Sequence, residues 1–237
     1  MRDISLEAID ELHDSGFYLL ISDFHIPNSE FRIPDSLMDL WHYEKEAKCR
    51  GCRDIAGIDE AGRGPLAGPV VSAAVILPAG FDGSGVTDSK KLTARQRERL
   101  YERLYVQSVA VGIGIVDSLE IDRINILQAS LLAMAMAVEN LIPRPDFLLI
   151  DGTFRIASDL PQLAIPKGDA LSISIAAASI IAKVTRDRLM HVYHHYYPQF
   201  DFPRHKGYPT KSHKEAIQKF GCCPIHRRSF RGVKEYS

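Results

Sequence analysis

The sequence predicts an α/β fold, in which a β-sheet is flanked by helices and carries a polar site at the ends of its strands. Short apolar runs with the length of single strands alternate with longer segments that have helical patterning. Acidic residues directly follow two of the apolar runs. The 237 residues suffice for one large domain or for one such domain plus an appendage, and we favour the domain with an appendage.

Five apolar segments are predicted to form the strands. Buried strands are expected at 55–58 and 70–77, and a third strand is expected at 108–116. The wholly apolar run at 147–150 is typical of a central strand that is covered on both faces. Residues 160–165 are predicted to form an edge strand.

Helices are predicted between and after these strands. Thr93 is a candidate cap for an amphipathic helix through residue 104, and 124–136 is rich in strong helix formers. A long helix is expected from Ser172 to about residue 197, and its many small side chains should let it approach the sheet closely. A last helix is predicted at 212–220, which gives the chain a helical C-terminal segment.

The first 50 residues are predicted to be an acidic N-terminal extension, and residues 51–237 to be the main domain. The extension carries five basic and eleven acidic side chains. Ser36 is a candidate cap for a helix that continues through Trp41. We interpret the extension as a packed accessory or a contact for a partner.

The segment from Lys183 to the end of the chain is basic, although the net charge of the whole chain is only -1. It carries twelve Lys and Arg residues and four acidic residues, with tyrosines and phenylalanines interleaved. Such a segment favours a polyphosphate backbone, because binding releases counterions. The alternative is a basic tail that is merely solvated.

The composition predicts a cytosolic protein without a membrane partner. No apolar run approaches the roughly 20 residues of a membrane span, and the N-terminus lacks the apolar core of a signal peptide. The four cysteines could indicate a zinc site or two disulfides. We predict free thiols instead, because cytosolic proteins keep thiols reduced and adjacent cysteines chelate one ion poorly. These cysteines are Cys49, Cys52, Cys222 and Cys223.

Four carboxylates are candidates for a metal site. Asp59 and Glu60 lie where the first strand is predicted to end, Asp151 follows the run at 147–150, and Asp169 precedes the long helix. Hard divalent cations such as Mg²⁺ take oxygen ligands. Two such ions about 4 Å apart can activate water and stabilise the leaving oxygen of a phosphodiester. The four acids therefore suit hydrolysis of a phosphodiester if they converge.

Asp187 competes with Asp169 for the fourth position. It lies four residues after Lys183 on the predicted long helix, where an ion pair on the helix surface explains it. Spacing alone does not choose between the two aspartates.

The acid pair is followed at once by a glycine-flanked arginine, Ala61-Gly62-Arg63-Gly64. Neighbouring strand residues point to opposite faces, so the two acids can share a site only if the strand ends or twists here. Glycine would permit that change of direction and would leave backbone N–H groups accessible. The combination of carboxylates and accessible backbone N–H groups favours phosphate chemistry.

Six segments of the chain resemble bacterial ribonuclease HII and occur in the order of that family. They are GIDEAGRGPLAGPV (57–70), DSKKL (88–92), IDG (150–152), KGD (167–169), AASIIAKVTRD (177–187) and HKGYPT (205–210). The resemblance spans about residues 55–230. A long glycine-rich string is far more specific than a lone GxGxxG motif, and six strings in order leave little room for chance.

The resemblance implies an RNase H-like fold, a mixed β-sheet flanked by helices, in residues 51–237. It implies that the catalytic, metal-binding residues are Asp59, Glu60, Asp151 and Asp169, and so selects Asp169 over Asp187. The implied cofactor is Mg²⁺ or Mn²⁺ in a two-metal mechanism.

The resemblance also implies residues that bind the substrate. Backbone groups of Gly62, Arg63 and Gly64 are expected to contact the 2′-hydroxyl of the target ribonucleotide, which is the group that distinguishes RNA from DNA. Tyr208 is expected to pack on the sugar of the next nucleotide, where a deoxyribose is preferred. Candidates for phosphate contacts are Lys90, Lys183 and Lys206, for which a solvated surface lysine is the alternative.

The implied activity is that of a metal-dependent endonuclease that hydrolyses the RNA strand of RNA/DNA hybrids. It includes nicking duplex DNA on the 5′ side of a single embedded ribonucleotide, leaving 5′-phosphate and 3′-hydroxyl ends. The expected roles are ribonucleotide excision repair and primer removal during DNA replication. Alternatives are an enzyme similar to ribonuclease HIII that prefers long hybrids, or an idle hybrid-binding module. Nothing in the sequence identifies a contact with a replication clamp.

Overall fold

The computed structural model describes residues 39–236. Most of the predicted extension, including Ser36 as a helix cap, lies outside these residues. Among the described residues, none of the helices is both long enough and apolar enough to cross a membrane.

A five-stranded mixed sheet forms the centre of the described part of the chain, in the order β3-β2-β1-β4-β5. Its strands are β1 (Ile55–Ala61), β2 (Val70–Ile76), β3 (Ala110–Val116), β4 (Phe147–Asp151) and β5 (Gln162–Ile165). β1 pairs antiparallel with β2, and β2 with β3, whereas β1–β4 and β4–β5 are parallel. The predicted mixed sheet is thus confirmed, and β5 is an edge strand as predicted.

Seven α-helices surround this sheet within residues 39–236. They are α1 (His42–Cys49), α2 (Ala94–Gln107), α3 (Ser118–Ile124), α4 (Ile126–Glu139), α5 (Ile173–Tyr196), α6 (Phe202–His205) and α7 (Lys211–Phe220). Predicted caps are present at two of them: the side chain of Thr93 accepts from the Gln96 N–H, and that of Ser172 accepts from the Ile175 N–H. The predictions for α2, α5 and α7 are confirmed.

The helix predicted at 124–136 is interrupted. α3 ends at Ile124, and Asn125 takes a left-handed backbone conformation with φ of 70°. The Asn125 side chain then caps α4 by accepting from the N–H groups of Leu127 and Gln128. The apolar pattern runs on through this break, which is why the sequence did not reveal it.

α1 packs on the main domain, although the sequence analysis assigned its residues to the extension. The carboxylate oxygen Oε1 of the buried Glu44 accepts from Ser172 Oγ at 2.6 Å, and from the N–H of Ser174 at 3.0 Å. Ala47 lies in an apolar cluster with Ile55 of β1. α1 begins at His42, so the predicted helix does not include Trp41. A separate extension therefore stays a prediction for residues 1–38 alone.

Helices cover both faces of the sheet and leave its strand ends open. On one face, α5 presses so closely on β1 that a Cβ atom on Gly57 would lie 2.1 Å from the carbonyl carbon of Ser174. On the other face, Met134 and Ala137 of α4 pack on Ile58 of β1. Because β1 and β4 are parallel, their carboxyl ends meet at one edge of the sheet.

Candidate metal and nucleic-acid site

Three acidic side chains converge at the carboxyl ends of β1 and β4. Asp59, Glu60 and Asp151 each offer one carboxylate oxygen, and these oxygens all lie within 4.8 Å of one another. Asp59 is only 5% exposed, and the other two are partly buried. Convergence of these three predicted acids is therefore observed.

The acid pair lies inside β1 and not beyond its end. β1 continues to Ala61, with Asp59 opposite Ala73 and Glu60 opposite Ser72 on β2. The Oδ1 atom of Asp59 accepts from the N–H of Glu60 at 2.7 Å. The expected end of the strand at residue 58 is thus wrong, yet both carboxylates reach the same site from consecutive positions.

Asp169 lies beside this group without being part of it. It belongs to a 3₁₀ turn at Gly168–Ala170, and the N–H of Gly168 donates to Oδ1 of Asp151 at 2.7 Å. Asp169 is 6% exposed, and its Oδ2 lies 3.3 Å from Nζ of Lys90. The turn thus brings the fourth predicted acid next to Asp151.

The carboxylates of the site raise one another's pKa. Burial raises the pKa of Asp59 well above its usual range, and the charges of Glu60 and Asp151 raise it further. Burial also raises the pKa of Glu60, against the opposing effect of Arg63. The pKa of Asp151 is raised by burial and then by Asp169. Such a set of crowded oxygen donors, which repel one another as anions, fits a divalent cation.

The acids open into a cavity of about 190 Å³. Six of the seven predicted substrate-binding residues line it, namely Gly62, Arg63, Gly64, Lys90, Lys183 and Tyr208. Lys206 does not: its Nζ lies 2.7 Å from Nε2 of His191. Position 62 requires glycine for two reasons. Its φ is 107°, which other residues rarely adopt, and a Cβ atom there would lie 2.2 Å from Nε of Arg186.

Asp187 forms the predicted ion pair with Lys183, with 2.6 Å between Oδ1 and Nζ. The pair is more buried than a surface pair, since the two side chains are 18% and 23% exposed. Burial lowers the pKa of Lys183, and Asp187 opposes this effect. Asp187 therefore favours the charged form of Lys183 at the wall of the cavity.

Two buried arginines next to the cavity escaped the sequence analysis, Arg186 and Arg227. Arg186 is 1% exposed and Arg227 is fully buried. Arg186 lies on the same face of α5 as Ser179 and Ala182, whose side chains are small and buried. A cation on such a face is a usable signal, since Arg is rarely fully buried without a partner. Arg227 lies in an irregular segment and gave no signal.

The four cysteines are free thiols, as predicted. Cys223 is buried, Cys49 is exposed, and Cys52 and Cys222 are intermediate. Burial raises the pKa of the Cys223 thiol to about 11, so this group stays protonated at neutral pH.

Comparisons with known proteins identify the family. The family profile described as Ribonuclease HII matches residues 56–233. Ribonuclease HII of Syntrophus aciditrophicus is 60% identical over 80% of this chain and 90% of its own length. Ribonuclease HII of Geotalea daltonii is 54% identical over 85% of this chain and 97% of its own length.

Solved structures agree in fold. Ribonuclease H2 from Pyrococcus horikoshii superposes with a TM-score of 0.66 at 29% identity, covering 78% of this chain and 97% of that one. RNase HII in a PCNA complex from Archaeoglobus fulgidus has a TM-score of 0.64 at 26% identity, covering 76% and 96%. Bst-RNase HIII in complex with Mn²⁺ shares the fold at 20% identity, with a TM-score of 0.61 and coverage of 77% and 68%. On the extent of the profile match and the identity to curated relatives, this chain belongs to the ribonuclease HII family.

Proposed function

We propose that this chain hydrolyses the RNA strand of RNA/DNA hybrids and nicks duplex DNA on the 5′ side of a single embedded ribonucleotide. Its membership of the family makes it a ribonuclease H-type endonuclease. The main observation behind this proposal is that three convergent carboxylates, the 62–64 loop and Tyr208 all line one cavity. Hydrolysis leaves 5′-phosphate and 3′-hydroxyl ends, without a covalent intermediate on the enzyme.

The residues proposed to hold the cofactor are Asp59, Glu60, Asp151 and Asp169, with two divalent ions, Mg²⁺ or Mn²⁺. The crowded oxygen donors support this assignment, and so does the RNase HIII neighbour that was solved with Mn²⁺. When bound, such ions lower the pKa of water and stabilise the charge of the leaving oxygen. The protein contributes by holding Asp59, Glu60 and Asp151 on two parallel strands and Asp169 on the adjoining turn.

The groups proposed to read the sugar lie side by side. A Cβ atom on Gly64 would lie 3.5 Å from the Cε1 atom of Tyr208, so the ring stands next to the 62–64 loop. The loop is proposed to contact the 2′-hydroxyl through its backbone, and Tyr208 to pack on the next sugar. A junction between ribose and deoxyribose would then span both groups.

Lysines are proposed to contact the phosphates. Lys90 and Lys183 line the cavity and carry positive charge toward it. Lys206 is outside the cavity and adjoins His191, which leaves it as a proposed contact to a more distant phosphate. The partners proposed are RNA/DNA hybrids and duplex DNA that contains ribonucleotides, in the cytoplasm. The PCNA complex of the Archaeoglobus fulgidus relative makes a sliding clamp a further candidate partner.

The test is cleavage of a labelled DNA duplex that holds one ribonucleotide, beside an all-RNA/DNA hybrid, with Mg²⁺ or Mn²⁺. We expect nicking 5′ of the lone ribonucleotide, and loss of that activity in Asp59→Asn. Cleavage of the hybrid alone would favour the activity of a ribonuclease HIII. Binding of both substrates without cleavage would favour the idle module.

A further inference from the structure

Residues 223–227, which we call the C-terminal strut, lie against the chain that follows the acid pair. His226 forms an isolated antiparallel bridge with Ala67. The N–H of Gly68 donates to the carbonyl of Ile225 at 2.8 Å, and the N–H of Arg227 donates to that of Leu66 at 2.9 Å. The strut thus joins the end of the chain to the glycine-rich segment of the site.

The guanidinium group of Arg227 binds the main chain of that segment at four places. It donates to the carbonyl oxygens of Gly62 at 2.6 Å, Arg63 at 3.0 Å, Pro65 at 2.8 Å and Gly68 at 3.0 Å. Two of these carbonyls belong to the 62–64 loop itself. The planar fork of arginine can serve four acceptors at once, whereas a lysine ammonium has three donors on a single nitrogen.

Arg186 holds the alternate carbonyls of the same stretch. It donates to Ala67 at 3.1 Å and to Pro69 at 3.0 Å, on either side of the Gly68 carbonyl that Arg227 binds. Within residues 39–236, all hydrogen bonds of these two guanidinium groups go to main-chain carbonyls. Burying two cations without a carboxylate partner is costly. We take this cost to indicate that the position of the main chain in residues 62–69 matters for function and not only for stability.

The strut also reaches Tyr208, through two buried histidines. Nδ1 of His213 lies 3.0 Å from the carbonyl oxygen of Tyr208, and Nε2 of His213 lies 3.1 Å from Nε2 of His226. Nδ1 of His226 in turn accepts from the N–H of Cys223 at 2.9 Å. Burial lowers the pKa of both rings to about 4, so both are neutral at neutral pH.

One placement of the ring protons is consistent with these three hydrogen bonds. A carbonyl only accepts, so His213 carries its proton on Nδ1 and presents a bare Nε2. His226 must then donate from its own Nε2, which leaves its Nδ1 free to accept from Cys223. The chain of donors runs in one direction, from Cys223 to the Tyr208 carbonyl, and every member is satisfied.

The two groups that the strut contacts, the 62–64 loop and Tyr208, lie side by side at the cavity. The N–H of Leu66 donates to the carbonyl of Gly207 at 2.8 Å, and the Tyr208 ring adjoins Gly64. The buried side chains of Arg227 and His226 therefore support the main chain of the loop and, through His213, that of Tyr208, while the loop and Tyr208 line the cavity.

We propose that the C-terminal strut sets the position of the 62–64 loop relative to the Tyr208 ring, with Arg227 and His213 as positioning residues for recognition of the junction between ribose and deoxyribose. This inference rests on the proposed function of the loop and of Tyr208. Neither residue needs to contact the substrate. Each acts on the main chain of a group that does.

The first test compares Arg227→Lys with Arg228→Lys. Both keep the charge, but Arg228 is exposed and is the matched control. kcat/KM is measured on duplex DNA with one ribonucleotide and on an all-RNA/DNA hybrid. We expect the ratio of the two values to fall about tenfold or more in Arg227→Lys, as loss of one to two aligned hydrogen bonds predicts, and to stay unchanged in Arg228→Lys.

The ratio separates positioning from folding. Equal losses on both substrates in Arg227→Lys, or an unchanged ratio, would overturn the proposal. A wild-type protein that fails to nick at a lone ribonucleotide would instead refute the proposed function, and that measurement precedes the variants.

A second pair of variants decides the matter if Arg227→Lys does not fold. His213→Asn places an amide donor where Nδ1 stood, facing the Tyr208 carbonyl, and His213→Gln places its amide near the former Nε2 and leaves that carbonyl without a donor. We expect the substrate ratio of the Asn variant to stay close to that of the wild type and that of the Gln variant to fall. Equal ratios in the two variants would contradict the role given to His213.

Discussion

Among the single residues of the site, Asp59 is strongly destabilised in its ionised form. It is 5% exposed and lies beside two further carboxylates, and burial together with those charges raises its pKa. An acid whose pKa is raised in the folded state destabilises that state when it is ionised. The crowded carboxylates therefore favour binding of a cation and lower the stability of the metal-free protein.

We therefore expect Asp59→Asn to stabilise the metal-free protein by about 1 to 2 kcal/mol while abolishing cleavage. The amide still offers Oδ1 to the N–H of Glu60. Thermal unfolding with and without Mg²⁺ measures both effects, and the stabilisation that Mg²⁺ gives the wild type should shrink in the variant. A metal-free variant less stable than the wild type would contradict this account.

The same shift sets a dependence on pH. Because the folded protein binds the Asp59 proton more tightly than the unfolded chain does, metal-free stability should rise as pH falls through the raised pKa toward the usual value of 3.8. Unfolding midpoints across that range measure the trend. In Asp59→Asn the rise should be smaller, since one of the coupled groups no longer titrates.

Asp169 and Asp187 offer a matched pair of aspartates that differ in their surroundings. Asp169 adjoins Asp151, whereas Asp187 is paired with Lys183. We expect Asp169→Asn to lower kcat by roughly 10²-fold or more, as loss of a group that stabilises the transition state does. Asp187→Asn should cost about 1 to 3 kcal/mol of stability, because the pair is partly buried, and leave kcat within a few-fold. A larger loss of kcat in Asp187→Asn than in Asp169→Asn, measured in steady-state assays, would instead assign the fourth metal ligand to Asp187.

The sequence reveals those residues of the candidate site that lie in short, specific strings, and hides those whose contacts arise only in the folded chain. Asp59, Glu60 and Asp151 were predictable because each lies at or near the end of an apolar run. The contacts of Arg227 join residues more than 150 positions apart, and no local pattern reports them. The pairing of Lys206 with His191 likewise depends on how α5 and the chain after it pack.

At the scale of elements, helix starts were more predictable than helix interruptions. The capping side chains at the starts of α2 and α5 could be predicted from their residue type, because each accepts a hydrogen bond from the N–H three residues along the chain. The interruption at Asn125 depends on a positive φ inside a continuous apolar pattern. The extra length of β1 arises from its pairing with β2, which the acidic residues in its sequence obscured.

α1 illustrates an element that is fixed by one buried carboxylate. Glu44 binds Ser172 and Ser174 at the start of α5, where the positive end of the helix dipole also favours an anion. We expect Glu44→Ala to lower the free energy of unfolding by about 2 to 3 kcal/mol. Glu46→Ala, which removes only a partly exposed pair with Arg50, should cost less than about 0.5 kcal/mol.

Chemical denaturation of both variants measures this difference. Activity of Glu44→Ala at a temperature below its unfolding transition should match the wild type, because Glu44 does not line the cavity. Equal stability of the two variants would show that α1 does not secure the start of α5.

At the scale of the whole molecule, the described residues 39–236 contain all the parts that the proposed function requires. The family profile begins at residue 56, and the residues of the cavity all follow it. We therefore expect a chain that begins at Asp39 to nick at a lone ribonucleotide with kcat/KM close to that of the full chain. Parallel assays of both chains measure this, and a large loss would assign residues 1–38 a part in substrate binding.

The contacts of the C-terminal strut also bear on the order in which the chain is made. A ribosome completes the four acids by residue 169, whereas Tyr208, His213 and Arg227 are added later. A prematurely terminated product that lacks the strut would keep every proposed metal ligand while the loop and the tyrosine lack their support. Selectivity, on this account, depends on residues that the ribosome adds after the last of the proposed metal ligands.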